Sequence, residues 1–401
     1  MEVLRIYEHK ILRFEEGLDG HEERFTESHY KAMVDYHDNK GGSKYYSLVR
    51  SGVKFSQYVG VIQIQDLTIE ILPKTDRGTE SQWHDVLLKM LRETRFLKLD
   101  YISEASLRYR KYSILHLYFA EYLSQLRHLI QRGLIKKYRQ REGNLTALKG
   151  ALLFGQHLSK NIIHKERFYT RHQVYDQQHL IHQILNEALV VVKRMVNHSS
   201  LVDEVNRIVF EFPEQQKIKV TSQVFERLKL DRKSEPYHKA LEIAKMILLN
   251  YSPDIKGGNN DLFALLFDMN DLWEEYIYRQ LLKSGIKVQY QNSMLFWETR
   301  LMRPDMVVSH KGKKYILDAK WKIVNDAQPS DEDLRQVFAY NIYWGVKNGF
   351  LVYPQTSLSP KTSPGRYQKV ISDIGQLTCQ VVYFDVIDDS RTISKVLTDS
   401  L

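Results

Sequence analysis

Asp305, Asp318 and Lys320 carry the chemistry that is easiest to name in this chain, within the stretch RPDMVVSHKGKKYILDAK from Arg303 to Lys320. Met306, Val307 and Val308 are apolar and β-prone, Gly312 sits among polar residues, and Lys314 to Leu317 turns apolar again. The pattern predicts two short strands around a tight turn. Side chains alternate along a strand, so Asp318 and Lys320 share a face and Ala319 points away. Asp305, opening the neighbouring strand, can reach that face. Two carboxylates offer the oxygen ligands that a hard cation such as Mg²⁺ prefers. Such a cation acidifies coordinated water and stabilises charge on a phosphoryl oxygen. Lys320 beside them would orient the water or neutralise the developing charge. These types at this spacing suit metal-assisted phosphodiester hydrolysis. A bare D…DxK match is common by chance, as a surface hairpin with an ordinary salt bridge, so the elements around it must decide.

Before the hairpin, Leu262 to Leu282 has apolar residues at helical spacing, including Leu265, Met269, Leu272, Trp273, Tyr276 and Ile277, with no internal Pro or Gly. Glu274 and Glu275 fall within this helix and Gly285 follows as a stop. A strand is expected over Ile286–Gln291, a second amphipathic helix over Asp331–Lys347, and a short strand over Phe350–Tyr353, ended by Pro354. The order is helix, three strands, helix, strand. With Pro304-Asp305 and Asp318-Ala319-Lys320 on the second and third strands, it resembles the PD-(D/E)XK nuclease core. Gln336 and Tyr340, spaced QxxxY on the later helix, are similar to an accessory motif of the RecB-like branch. The resemblance implies Mg²⁺, with Mn²⁺ as an alternative, held by Asp305 and Asp318. It also implies a first-helix carboxylate joining them: Glu274, or its neighbour Glu275.

At 401 residues the chain is long enough for two or three domains. Hydrophobic residues make up 43% and charged residues 27%, the balance of an ordinary globular protein. Cys379 is the single cysteine, which excludes an internal disulfide framework and a Cys-based zinc site and suits a reducing cytoplasm. No apolar run approaches the ~18 residues of a membrane span, and acidic residues interrupt the N-terminus where a signal peptide would be apolar. The net charge of +9 fits a polyanion-binding protein.

An α+β, multidomain organisation is expected: a β-rich domain over 1–100, a mostly helical region over 101–250, and the nuclease-like domain over 251–401. In the first, Val59–Ile64 and Leu67–Leu72 alternate across Gln65-Asp66 as a hairpin. Asp66, Glu70 and Asp76 are expected on its solvated side, Tyr36–Lys44 as a polar loop, and Trp83–Leu97 as a helix beneath it. In the middle region, helices are expected over Tyr112–Ile130, Tyr175–Val196 and Tyr237–Leu249. Around Gly133, which follows the first, the charge is lopsided: Arg127, Arg132, Lys136, Lys137, Arg139 and Arg141, with Tyr138 among them. It reads equally as a solvated basic face or as DNA phosphate contact. His179 and His182 are three apart and could meet on a helix face, but no HExxH or third ligand accompanies them, so they read as structural histidines. No GxxxxGK[ST] or GxGxxG loop is present, so this chain is expected to bind no nucleotide.

Five segments together resemble the McrC family, from about residue 50 onward: Tyr58–Thr75, Gly143–Gly155, Tyr175–Leu189, Phe267–Tyr276 and the DAKW ending at Trp321. McrC is the nuclease subunit of McrBC-type, modification-dependent restriction systems. The resemblance implies a separate McrB-like AAA+ GTPase ring as partner, docking and GTPase stimulation through residues 1–100, double-stranded DNA as substrate, and dimerisation through assembled complexes. Arg50 and Lys54 are candidates for the docking contact. Two alternatives stay open: a standalone nuclease of the same fold in repair or recombination, and a non-cleaving activator or scaffold of an AAA+ ring.

Overall fold

The computed structural model describes residues 3–39, 41–74, 78–94, 113–196, 199–252, 262–323, 329–357, 359 and 365–387. Residues 2–114 and 254–401 form one compact unit, and residues 115–253 another. The first and last segments, expected as separate domains, thus belong together.

The larger unit begins with β1 (Val3–Tyr7), β2 (Ile11–Arg13), α1 (Glu27–Asn39), β3 (Tyr46–Val49), β4 (Gly52–Phe55), β5 (Tyr58–Ile64), β6 (Leu67–Leu72) and α2 (Glu80–Glu93). β5 and β6 form the hairpin that alternation implied, with Gln65 in a left-handed conformation (φ 53°) at its turn. β1 joins β6 in parallel, and β2, β4 and β3 make a separate three-stranded sheet. Leu4, Phe25, Met33, Val53, Phe55, Ile62 and Ile69 share one core. Tyr36 packs against that core, which extends α1 through residues whose composition suggested a loop. α2 starts at a capping box, Thr79 with Gln82, and ends at Glu93; the expected continuation to residue 97 lies outside the described residues, as does Asp76. Glu70 corrects the expected solvated side. It is fully buried in β6, where Arg5 and His84 meet its carboxylate, whereas Asp66 is exposed beside His29.

The other unit comprises α3 (Ile114–Arg132), β7 (Lys137–Leu145), β8 (Ala151–Leu152), α4 (Phe154–Lys160), β9 (Phe168–Asp176), α5 (Leu180–Met195), α6 (Ser199–Glu211), α7 (Ser222–Glu226), α8 (His238–Asn250) and β10 (Tyr251–Ser252). It is less uniformly helical than expected, because β7, β9 and β8 form a sheet. Tyr175 and Asp176, expected in a helix, close β9, and α5 starts only at Leu180.

The chain then returns to the larger unit with β11 (Leu262–Asp268), α9 (Met269–Lys283), β12 (Lys287–Tyr290), β13 (Met294–Trp297), β14 (Arg300–Met302), β15 (Met306–His310), β16 (Lys313–Ala319), α10 (Asp331–Trp344), β17 (Asn348–Pro354), β18 (Gly365–Ile371) and β19 (Gly375–Phe384). The single helix expected over Leu262–Leu282 is two elements. LFALLF is apolar throughout, a run that suits a strand buried on both faces as well as a helix. It pairs antiparallel with β5, and Asp268 then caps α9 by accepting from the Asn270 N–H. Six strands form one sheet in the order β12-β15-β16-β17-β19-β18, parallel at β16-β17-β19 and antiparallel elsewhere. α10 starts at the Ser330 cap and stops at Gly345, whose φ of 61° closes the last turn, short of the expected Lys347. Val337 and Tyr340 of α10 pack on the sheet face that presents Val307, Ile316, Leu351 and Tyr353. Among the described residues, no helix is long and apolar enough to cross a membrane.

Candidate active site

The β15–β16 hairpin closes through Lys311 and Gly312, both left-handed (φ 49° and 77°), between the paired residues His310 and Lys313. Two left-handed residues mark a type I′ turn, whose twist keeps the pairing in register. Met306 stands opposite Leu317, and one step further along the same register sets Asp305 opposite Asp318. Asp305 fixes the arrangement by accepting a hydrogen bond on Oδ2 from the Ala319 N–H at 2.7 Å. On the other edge, the Lys320 N–H donates to the Val352 carbonyl of β17 at 2.9 Å. The strands thus bring together the two carboxylates and the lysine named from their spacing.

Electrostatically the cluster is frustrated. Asp318 is 0% exposed; the Lys320 ammonium stands 2.8 Å from its Oδ2, while among the described residues no donor hydrogen-bonds its Oδ1. Burial raises the Asp318 carboxyl, against the pull of Lys320. Burial, Asp318 and Glu274 raise Asp305, and burial, Asp271 and Asp318 raise Glu274. Burial lowers the affinity of Lys320 for its proton, but Asp318 and Asp305 outweigh it and hold the ammonium charged. Burial raises all three carboxyls and the Asp318 charge adds to it at Asp305 and Glu274, surroundings that a hard cation would relieve. Asp305 and Asp318 could hold such an ion with Glu274 nearby. Among the described residues no group of three or more His, Cys, Asp or Glu side chains is arranged to hold a metal ion, so an ion on Asp305 and Asp318 would need water or substrate oxygens for its other positions.

The structure separates Glu274 from Glu275. Glu275 pairs with Arg279 one helical turn on, at 2.9 Å, whereas Glu274 faces the aspartates. Gln336 donates from Nε2 to the Tyr340 hydroxyl at 2.8 Å, and that hydroxyl donates to the Arg303 carbonyl at 3.0 Å. The QxxxY pair therefore anchors the backbone two residues before Asp305. Sequence reasoning missed Asp333. It is buried at the start of α10, accepts from the Tyr353 hydroxyl at 2.7 Å, pairs with Lys322 and adds negative charge facing Asp318. Its only sequence signal, Ser330 three residues earlier, speaks of a helix cap; Ser330 does cap it. Gln291 was also missed; its N–H donates to the Asp305 carbonyl at 2.8 Å.

The five basic candidates lie in the other unit. Arg132, Lys136 and Arg141 are exposed. Lys137 pairs with Asp231 at 3.2 Å and Arg139 grips both oxygens of Asp176, so their charge is compensated locally and the expected phosphate contact is weakened for these two. His179 and His182 do meet, ring centroids 4.0 Å apart, but as structural groups. His182 is buried, its Nδ1 2.8 Å from the Gln177 carbonyl and its Nε2 3.2 Å from the Tyr237 hydroxyl, and burial pushes its pKa down to about 4.

Fold and cluster together define a mixed α+β protein with a carboxylate–lysine site at the end of a sheet hairpin. Residues 53–354 match the family described as McrBC 5-methylcytosine restriction system component. The chain belongs to that family. No curated protein matches it. The fold is similar to that of a chain in the refined half-complex from a tetradecameric assembly of Thermococcus gammatolerans McrB AAA+ hexamers with bound McrC. There the TM-score is 0.69 at 18% identity, covering 100% of this chain and 99% of that one. A chain of the T. gammatolerans McrBC complex solved by cryo-electron microscopy is similar with TM-score 0.50 at 18% identity, over 72% of this chain and 90% of that one.

Proposed function

We propose that this chain is the McrC-type, DNA-cutting subunit of a modification-dependent restriction system, and that its C-terminal sheet with α9 and α10 is a PD-(D/E)XK nuclease core. The observation that carries the reading is the Asp305–Asp318–Lys320 cluster at the end of a β-hairpin, half-buried around a fully buried Asp318 with an unsatisfied carboxylate oxygen. Family membership supports the setting, and the T. gammatolerans structures, which hold McrC bound to McrB AAA+ hexamers, support a McrB-like GTPase ring as partner.

Asp305 and Asp318, with Glu274, would hold Mg²⁺ or Mn²⁺. When bound, the ion supplies Lewis-acid charge and a more acidic water. The chain's own residues do the rest. Lys320, kept protonated by Asp318, places a positive charge where the attacked phosphoryl group gains negative charge. Ala319 and Gln291 hold Asp305 by side chain and backbone, and Tyr340 with Gln336 fixes the strand entry at Arg303. Asp333 sustains the field that keeps Lys320 charged.

Plasmid cleavage tests the reading, with purified chain and Mg²⁺, modified or unmodified DNA, and with or without the AAA+ partner and GTP. Cutting is expected only when partner, GTP and modified DNA are present together. Asp305→Ala, Asp318→Ala and Lys320→Ala should each reduce it at least ~10²-fold, the scale of losing a transition-state electrostatic contact, while partner binding and GTPase stimulation persist. Cutting by the chain alone would favour the standalone nuclease, and GTPase stimulation without cutting the scaffold. A variant that linearises DNA at the wild-type rate would sink the site.

A further inference from the structure

Between β12 and β15, the chain leaves the six-stranded sheet and makes a two-stranded hairpin of its own, β13–β14. Its apolar residues face solvent: Leu295 is 67% exposed, Phe296 50%, Trp297 59% and Leu301 60%. An isolated hairpin is marginal in water, and a contiguous exposed apolar group of this kind marks a contact surface. Near its turn, Phe296 meets the Tyr343 ring of α10 edge-on at 5.5 Å. Arg300 and Arg303 flank it against a single acid, Glu298. Behind the hairpin lies a cavity of about 590 Å³ walled by Phe296, Leu301, Arg303, Gln291, Gln336 and Tyr340. That size falls within the range of about 300–1,000 Å³ typical of small-ligand sites.

Position decides what could fill this cavity. Gln291 is bonded to the Asp305 backbone and the Tyr340 hydroxyl to that of Arg303, so the cavity adjoins the aspartates. An aromatic wall, carboxamides and a guanidinium are the groups that stack on a nucleobase and read its edge. Apolar side chains on a protruding element are how proteins pry base steps apart. We propose that the β13–β14 hairpin is a wedge and the cavity behind it a nucleobase subsite, receiving a base of the double-stranded substrate that leaves its stack beside the phosphodiester to be cut. The subsite extends the nuclease reading and rests on it. Arg300 and Arg303 favour DNA over a second copy of this chain as occupant, since they bring cationic charge to a polyanion.

The test uses the full chain under whichever plasmid-assay condition gives cutting, with Ca²⁺ replacing Mg²⁺, and short duplexes carrying 2-aminopurine at positions flanking the mapped cut. Fluorescence of 2-aminopurine rises when the base unstacks. Wild type should give that rise at one flanking position. Trp297→Ala and Phe296→Ala should each diminish it and weaken binding about 5- to 100-fold, the loss expected for a base–aromatic stack, and Trp297→Phe should restore both. Folded alanine variants with unchanged fluorescence and affinity would overturn the subsite while leaving the nuclease reading in place. Loss of self-association in sedimentation, with the DNA signal intact, would also overturn it and make the hairpin a surface between copies. Wild type that neither binds nor cuts would remove the nuclease reading itself.

Discussion

Asp305 shows how a site can be both well placed and unfavourable in the free protein. Its carboxylate is half-buried, faces Asp318 and Glu274, and accepts a backbone hydrogen bond from Ala319. Asp305→Asn keeps an oxygen for that bond and removes the repulsion. The variant is therefore expected to be more stable than wild type without metal, by about 1 kcal/mol, in the range seen when function-bearing strain is relieved. It should also lose the Mg²⁺-dependent rise in melting temperature that ligand binding gives the wild type. Differential scanning fluorimetry with and without Mg²⁺ checks both; an equal Mg²⁺ shift in both proteins would mean that Asp305 is no ligand. At this scale much of the site was legible, because a period of two fixes Asp318 and Lys320 on one face whatever surrounds them. Glu274 and Glu275 were not separable. Adjacent helical residues point about 100° apart, and only the packing of α9, with Arg279 taking Glu275, decides which one faces the aspartates.

At the level of elements, two of the misreadings share one cause: burial from both sides erases periodicity. LFALLF has no polar face to betray a strand, and its pairing partner, Tyr58–Ile64, lies some two hundred residues earlier in the sequence. β6 hides the same way. Glu70 alternates as a surface residue would, yet β1 and α2 enclose it, so it must find its charge partners inside. Its Oε2 receives Arg5 at 2.9 Å with His84 at 3.5 Å, and its Oε1 accepts the Ile114 N–H at 2.7 Å. Burial would raise this carboxyl, but His84 and Arg5 outweigh it and hold it below the ordinary range. Glu70→Ala takes one carboxylate from Arg5, which keeps Glu80 at 3.4 Å, and the acceptor from the Ile114 N–H; removing one member of a buried pair costs up to about 3–5 kcal/mol. A urea midpoint lowered accordingly, with an unchanged slope, is the expected result. A midpoint within error of wild type would show that water replaces the carboxylate and that β6 is less enclosed than it stands here.

Across the whole molecule, the last residue of the DAKW motif ties the strand that carries Asp318 to the start of the chain. Trp321 donates from Nε1 to Glu8 Oε1 at 2.7 Å, a bond spanning 313 residues, and its ring meets Trp83 and Trp273 edge-on. With the β5–β11 pairing, this joins the N-terminal strands and the six-stranded sheet into one compact unit where two were expected. Glu8 is 1% exposed, and the same Oε1 accepts the Lys74 N–H at 2.9 Å. Burial pushes its pKa up to about 7; the Lys74 and Trp321 hydrogen bonds and the Lys74 charge only partly oppose this, Asp268 adds to it, and the exposed His9 ring lies 3.6 Å from Oε2. In the unfolded chain Glu8 would titrate near ~4.3, so between that pH and about 7 the folded chain holds a proton the unfolded chain has lost. The stability this supplies is fully present below ~4.3 and fades as pH rises through about 7, by on the order of 4 kcal/mol at the most. Glu8→Gln keeps an acceptor for Trp321 and Lys74 and cannot ionise. It should match wild type at pH 4.5 and melt several degrees higher at pH 8. Melting curves of the two proteins at both pH values measure the difference directly, and an equal gap at each would show that the Glu8 proton plays no part in joining the two ends of the chain.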